Sequence, residues 1–191
     1  MLHLTHPTPP EWARVALADP SALVADHRYC EGKAARTARA LIKRHGRKYP
    51  ALIPDLEALA REEDAHHDLC TRILSEIGPP QHSHHGNPYI AELRRRVNRS
   101  GGGTELDQLI VAAFIEARSA ERFRLLADEL RGDKLGRVYE DLFASEARHH
   151  ALFVRLASEL FGETAARARI EAASVIEGKI VASRLWGSYL H

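Results

Sequence analysis

Glu146-Ala147-Arg148-His149 sets a glutamate and a histidine three residues apart inside a run whose apolar spacing is that of a buried helix face. The step occurs twice, since Glu63-Asp64-Ala65-His66 repeats it upstream. A single glutamate precedes each copy, Glu31 by 32 residues and Glu116 by 30, so the chain reads as two similar helical hairpins facing each other. Three residues along an α-helix are about 300° of rotation and about 4.5 Å of rise, so both side chains of a step leave the same face, one above the other.

The apolar stripes show where they point. Leu56, Leu59, Glu63, His66, Cys70, Ile73 and Ile77 share one face, and Leu135, Val138, Leu142, Glu146, His149, Phe153 and Leu156 another. Glu116 lies among Leu109, Ala113, Ala120 and Phe123, and Glu31 among Val24, His27, Ala34, Ala38 and Leu41. Burying one uncompensated carboxylate costs several kcal/mol, so four would exceed the stability of a typical domain, about 5–15 kcal/mol. Four negative charges match two divalent metal ions, with one imidazole for each. A Glu from each of two helices and a Glu-x-x-His from each of two others is the donor set of di-iron and di-manganese carboxylate bundles. Oxygen-rich donors with one imidazole per metal favour iron over manganese.

At 191 residues the chain fits one domain, and such a chain buries roughly 70% of the surface it exposes unfolded. A net charge of +1 gives no global pull toward nucleic acid or membrane, so such binding must be local. Cys30 and Cys70 make neither a CxxC nor a disulfide framework; they read as buried, inert thiols in a reducing compartment. No run of about 18 apolar residues exists, and the N-terminus lacks the charged and apolar regions of a signal peptide, so a soluble cytoplasmic protein is expected.

In chain order, residues 1–10 are a proline-containing arm expected to pack across the bundle, followed by a short helix from Glu11 to Ala18 anchored by Trp12. The bundle helices are expected at about 20–45, 51–77, 104–130 and 133–161, with a helical cover over 163–186 that breaks at Gly178 and Gly187. Thr104-Glu105-Leu106-Asp107 reads as a capped start and Asp133 as another N-cap. Asn87-Pro88 opens a further helix to about Val97, and Ser100-Gly101-Gly102-Gly103 reads as a flexible break. His82, His84 and His85 form a His-rich loop, read as solvated rather than metal-binding. No stretch alternates as a strand does, and the chain reads as all-α.

Beyond the ligands, the sequence carries Asp26-His27, Cys30-Glu31 and Lys33-Ala34-Ala35, then Phe114-Ile115-Glu116-Ala117-Arg118-Ser119 with Glu121-Arg122-Phe123, then Ser145-Glu146-Ala147-Arg148-His149. Together these resemble the tRNA-(2-methylthio-isopentenyladenosine) hydroxylase family, MiaE, over most of residues 20–160. The resemblance implies a ferritin-like four-helix bundle with extra N- and C-terminal helical segments, forming a single di-iron domain over 1–191. It implies dioxygen-dependent hydroxylation of the isopentenyl side chain of the hypermodified adenosine next to the anticodon in tRNA. The positions that match the family's iron ligands are Glu31, Glu63, His66, Glu116, Glu146 and His149, with no catalytic residue beyond them. One departure is the link between the first two ligand helices, which is shorter here than in the family.

Two electrons per turnover have no source in this chain, with no rubredoxin-like cysteine set and no Gly-rich dinucleotide fingerprint, so an external reductase is expected. Phe114, Leu142, Phe143 and Phe153 are candidate pocket walls. Arg118, Arg122 and Arg148 are placed either behind ligand carboxylates or in surface pairs. Lys43, Arg44, Arg47 and Lys48, with Arg94, Arg95, Arg96 and Arg99, are candidate phosphate contacts or a solvated face. The same ligand set also serves ferritin-like iron oxidation and storage, or peroxide scavenging. Assembly distinguishes the former, because storage needs a cage whereas a hydroxylase is expected as a monomer or small oligomer.

Overall fold

The computed structural model describes residues 2–80, 87–102 and 104–191, so His82, His84, His85 and Gly103 lie outside the described residues. Every regular element among them is helical: α1 (Glu11–Ala16), α2 (Pro20–His45), α3 (Ile53–Ile77), α4 (Pro88–Gly101), α5 (Glu105–Glu129), α6 (Lys134–Phe161) and α7 (Glu163–Ala182), with a 3-10 turn at Pro50–Leu52. The class is all-α and ferritin-like, as expected. Among the described residues no helix is long and apolar enough to cross a membrane.

The chain groups into two compact units: Ala16–His85 with Ser188–Leu190, and Met1–Val15 with Gly86–Gly187 and His191. The first is a hairpin of α2 and α3. Asp19 caps α2 by accepting from the Ala22 backbone N–H, and Pro20 fits the first turn, where its missing N–H has no helical partner to lose. Leu23, Val24, Ala35 and Ala38 of α2 and Leu56, Leu59, Ala60 and Ile73 of α3 are buried. The returning tail closes onto this unit where the Leu190 N–H donates to Asp26 at 2.8 Å.

The larger unit packs α5 against α6, with α7 against α4, α5 and α6. Thr104 and Asp107 form the expected capping box on α5. Asp107 has a second role, pairing with Arg169 of α7, which also donates to Val97 O at 2.6 Å and Ser100 Oγ at 2.9 Å. These bonds hold the end of α4. The expected break there is displaced: α4 continues through Ser100 and Gly101, and only Gly102, at φ +86, takes the left-handed conformation that ends a helix.

The N-terminal arm does pack, and it explains a second departure. α7 runs straight through Gly178, because that residue is the approach point of the arm rather than a break. A Cβ there would meet Thr5 Oγ1 at 2.4 Å and His6 Nδ1 at 2.5 Å. Thr5 Oγ1 donates to Ser174 O, and Ser174 Oγ donates to His3 O. Farther along, Thr8 donates from its N–H and its hydroxyl to Glu121. Arg118 donates to His6 O and Thr8 Oγ1 and pairs with Glu121 and with Glu177 of α7. Tyr89 of α4 donates to the same Glu177 oxygen at 2.9 Å. Trp12 is fully buried, with the Arg122 guanidinium 4.7 Å above its ring.

Candidate functional site

In the hairpin unit, Glu31 on α2 and Glu63 and His66 on α3 offer donor atoms within 4.8 Å of one another. The i, i+3 spacing on α3 places His66 Nδ1 3.6 Å from Glu63 Oε2, and it lies 3.9 Å from Glu31 Oε2. Burial disfavours a charged His66, but its bonds with Glu31 and Glu63 outweigh that and push its pKa up to about 9. Burial also works against an ionised Glu31. The hydrogen bond with Glu63, then His27 and His66, nonetheless hold its carboxyl well below the usual range. On the other side of Glu31, His27 Nε2 lies 2.5 Å from Oε1, and His27 Nδ1 lies 3.3 Å from Cys70 Sγ. Burial opposes charge on His27, yet the Cys70 sulfur and the Glu31 carboxylate raise it well above its ordinary value.

In the larger unit the second set is buried throughout, Glu116 on α5 and Glu146 and His149 on α6 being each at most 5% exposed, whereas His66 of the first set is half-buried. His149 Nδ1 is 3.7 Å from Glu146 Oε1, and Glu116 and His149 offer donor atoms within 4.8 Å of each other. α5 seats Glu116 between Ala113 and Ala120, both buried, and α6 seats its two donors between Leu142 and Phe153.

Each hairpin therefore presents two buried carboxylates and one imidazole, with donor atoms a few ångströms apart. Oxygen donors with a single imidazole suit divalent iron or manganese and do not suit a metal that prefers thiolates. The charge argument agrees, because burying two carboxylates together is costly without a cation, and in the first set the raised pKa of His66 is the protein's own response to that cost. The residues present fit a metal in each half.

Other expected residues are placed differently. Arg118 pairs with Glu121 and Glu177, and the Arg122 guanidinium lies over the rings of Trp12 and Tyr89. The two arginines hold the arm, α4 and α7. Arg148 is exposed. Arg95 and Arg96 both pair with Glu92, whose pKa falls to about 2 under their hydrogen bonds, and Arg94, Arg95 and Arg99 are exposed. Phe114, Leu142 and Phe153 are buried, whereas Phe143 is half-buried with the Arg124 guanidinium over its ring. His27 and Cys70 stood on the ligand stripes in the sequence, but nothing there said that they touch each other.

Comparison with known proteins decides the family. A model described as tRNA-(MS[2]IO[6]A)-hydroxylase (MiaE) matches residues 1–191. The chain belongs to the MiaE family. A relative from Pseudomonas putida, tRNA 2-(methylsulfanyl)-N(6)-isopentenyladenosine(37) hydroxylase, is 40% identical over 178 residues, 93% of this chain and 85% of its own. A protein of the same name from Salmonella typhimurium is 28% identical over 233 residues, 96% of this chain and 85% of its own. Among solved structures, "Protein 43 with aldehyde deformylating oxygenase activity from Synechococcus" is similar with a TM-score of 0.81 at 34% identity, covering 93% of this MiaE-family chain and 88% of that one.

Proposed function

We propose that this MiaE-family chain hydroxylates the isopentenyl side chain of 2-methylthio-isopentenyladenosine next to the anticodon of tRNA. The observation that carries the reading is the family match over the whole chain, 1–191. The full-length match favours hydroxylation over iron storage or peroxide removal. We further propose that Glu31, Glu63 and His66 join Glu116, Glu146 and His149 around two iron ions in a single ferritin-like domain. Six donors that repeat one pattern on two hairpins support this.

When bound, the iron pair supplies the oxidising chemistry, with dioxygen as co-substrate. The chain's own part is positional and electrostatic. Its four carboxylates and two imidazoles match the charge and donor preference of the metal, and the two Glu-x-x-His steps hold each glutamate and histidine on one helix face. Buried Phe114, Leu142 and Phe153, within about one turn of the donors along their helices, are the residues that would keep water from the place where the hydrocarbon side chain reacts. Two cysteines are too few for a four-thiolate electron-transfer site, so the electrons come from an external reductase. The tRNA phosphates meet the surface cations Lys43, Arg44, Arg47 and Lys48 and Arg94, Arg95, Arg96 and Arg99. The protein works in the cytoplasm as a monomer or small oligomer.

The test is nucleoside mass spectrometry on tRNA bearing the unhydroxylated adenosine, incubated with iron-loaded protein and hydrogen peroxide so that no reductase is needed. A nucleoside heavier by one oxygen, absent with Glu116→Ala, is the expected result. No product from protein holding two irons, with intact tRNA, overturns the hydroxylase reading.

A further inference from the structure

A glutamate ligand on a helix is fixed only at its Cα, and its neighbours set where the carboxylate points. For Glu31 that neighbour is His27, one turn earlier on α2, with Nε2 at 2.5 Å from Oε1. The imidazole is itself held from behind by Cys70 of α3, whose Sγ stands 3.3 Å from Nδ1. All three residues are buried, at 1, 4 and 1% exposure for His27, Glu31 and Cys70. We propose that His27 is a positioning residue for Glu31, that Cys70 orients the His27 ring, and that this chain of contacts makes the two metal positions inequivalent. The inference rests on the dinuclear reading above.

The hydrogen-bonding chemistry works whichever form the ring takes. In the neutral ring with hydrogen on Nε2, the Cys70 S–H donates to Nδ1; in the imidazolium, Nδ1–H donates to the sulfur. Either way Nε2 carries the hydrogen that Glu31 Oε1 accepts. One carboxylate oxygen is thereby engaged, and the other, Oε2, faces His66 at 3.9 Å. Glu31 is held to one direction.

The second hairpin repeats the donors but not the residue types at the two supporting positions. The residue one turn before Glu116, where His27 stands before Glu31, is Ala112. The residue one turn after His149, where Cys70 stands after His66, is Phe153. Neither side chain can donate or accept a hydrogen bond, so the repeat of the ligands is exact in residue type while the repeat of their surroundings is not.

Anaerobic titration of metal-free protein with Fe(II), and with Co(II) read by its visible absorption, resolves the two binding steps. Wild type should take two ions. His27→Leu should weaken one step by about 10–100-fold, the usual cost of losing a partner behind a ligand, and leave the other unchanged. His27→Gln, which returns an N–H near the Nε2 position, should restore it. Cys70→Ser should behave as wild type, and Cys70→Ala should show part of the loss. In turnover the effect should fall on kcat, with KM for tRNA unchanged.

If both binding steps are unaltered in His27→Leu and Cys70→Ala while only their melting temperatures fall, these residues merely fill space and the inference is overturned. Should His27→Leu fail to fold, the contrast between Cys70→Ser and Cys70→Ala decides the same question. Wild type that binds fewer than two ions overturns the dinuclear reading itself, and so separates the two failures.

Discussion

The two hairpins carry the same candidate metal donors at the same helical spacing, yet they are buttressed by different chemistry. α2 and α3 hold Glu31 with a histidine and a cysteine drawn from the same two helices. α5 and α6 are instead braced by elements outside the hairpin: α7 and the N-terminal arm meet α5 through Arg118, Glu121 and Glu177. A repeated motif therefore specifies the candidate donors while each copy solves its own problem of support. The price of the second solution is a dependence on distant chain, since it works only once residues 3–12 and α7 are in place.

The sharpest contrast is functional. Glu63→Ala and Glu146→Ala, equivalent donors on the two hairpins, should each lower kcat by about 1000-fold or more, because metal charge stabilisation is worth several kcal/mol. Product formation on tRNA checks this, and one variant retaining near wild-type turnover would show that only one hairpin serves the reaction.

Next in size is Arg118→Met. It leaves Glu177 buried without its guanidinium and should destabilise the protein by about 3–5 kcal/mol in urea denaturation. A wild-type midpoint would mean that the larger unit does not depend on its arm and α7 in the way described.

The hairpin unit has its own signature in pH. His66 has its pKa raised from 6.5 to about 9 in the folded protein, so it adds stability that is fully present below about pH 6.5 and lost as pH rises through about 9. The urea midpoint of metal-free protein should fall across that window, and His66→Gln should flatten the slope. Metal binding should strengthen over the same range, because ligation needs the neutral imidazole.

The smallest effects should be alike in the two units. Asp19→Ala removes the cap of α2 and Thr104→Ala the cap of α5, and each should cost about 1 kcal/mol. Unequal losses by thermal denaturation would show that the units differ in their helix ends as well as in their bracing.

Much of this was legible before folding was considered. The boundaries of α2, α5 and α6 follow from caps and 3.6-residue spacing, which are properties of a few neighbouring residues. The six donors stood out because each broke an apolar stripe at a matching place. What misled was information that is local only in appearance. Gly178 looked like a helix break because glycine usually frees the backbone, whereas here it clears space for the arm. Sequence left Arg118 open between a candidate ligand carboxylate and a surface pair, and it takes neither, being buried against Glu177 of α7.

The sequence by itself determined the helices, their caps, the donor types and their face, because each depends on rotation per residue and on neighbours within about one turn. Only the tertiary structure decided which charges meet: Arg118 finds Glu177 across 59 residues, and His27 finds Cys70 across 43. Helical periodicity says which side of a helix a group occupies. It cannot say what stands opposite, since that is set by how whole helices pack.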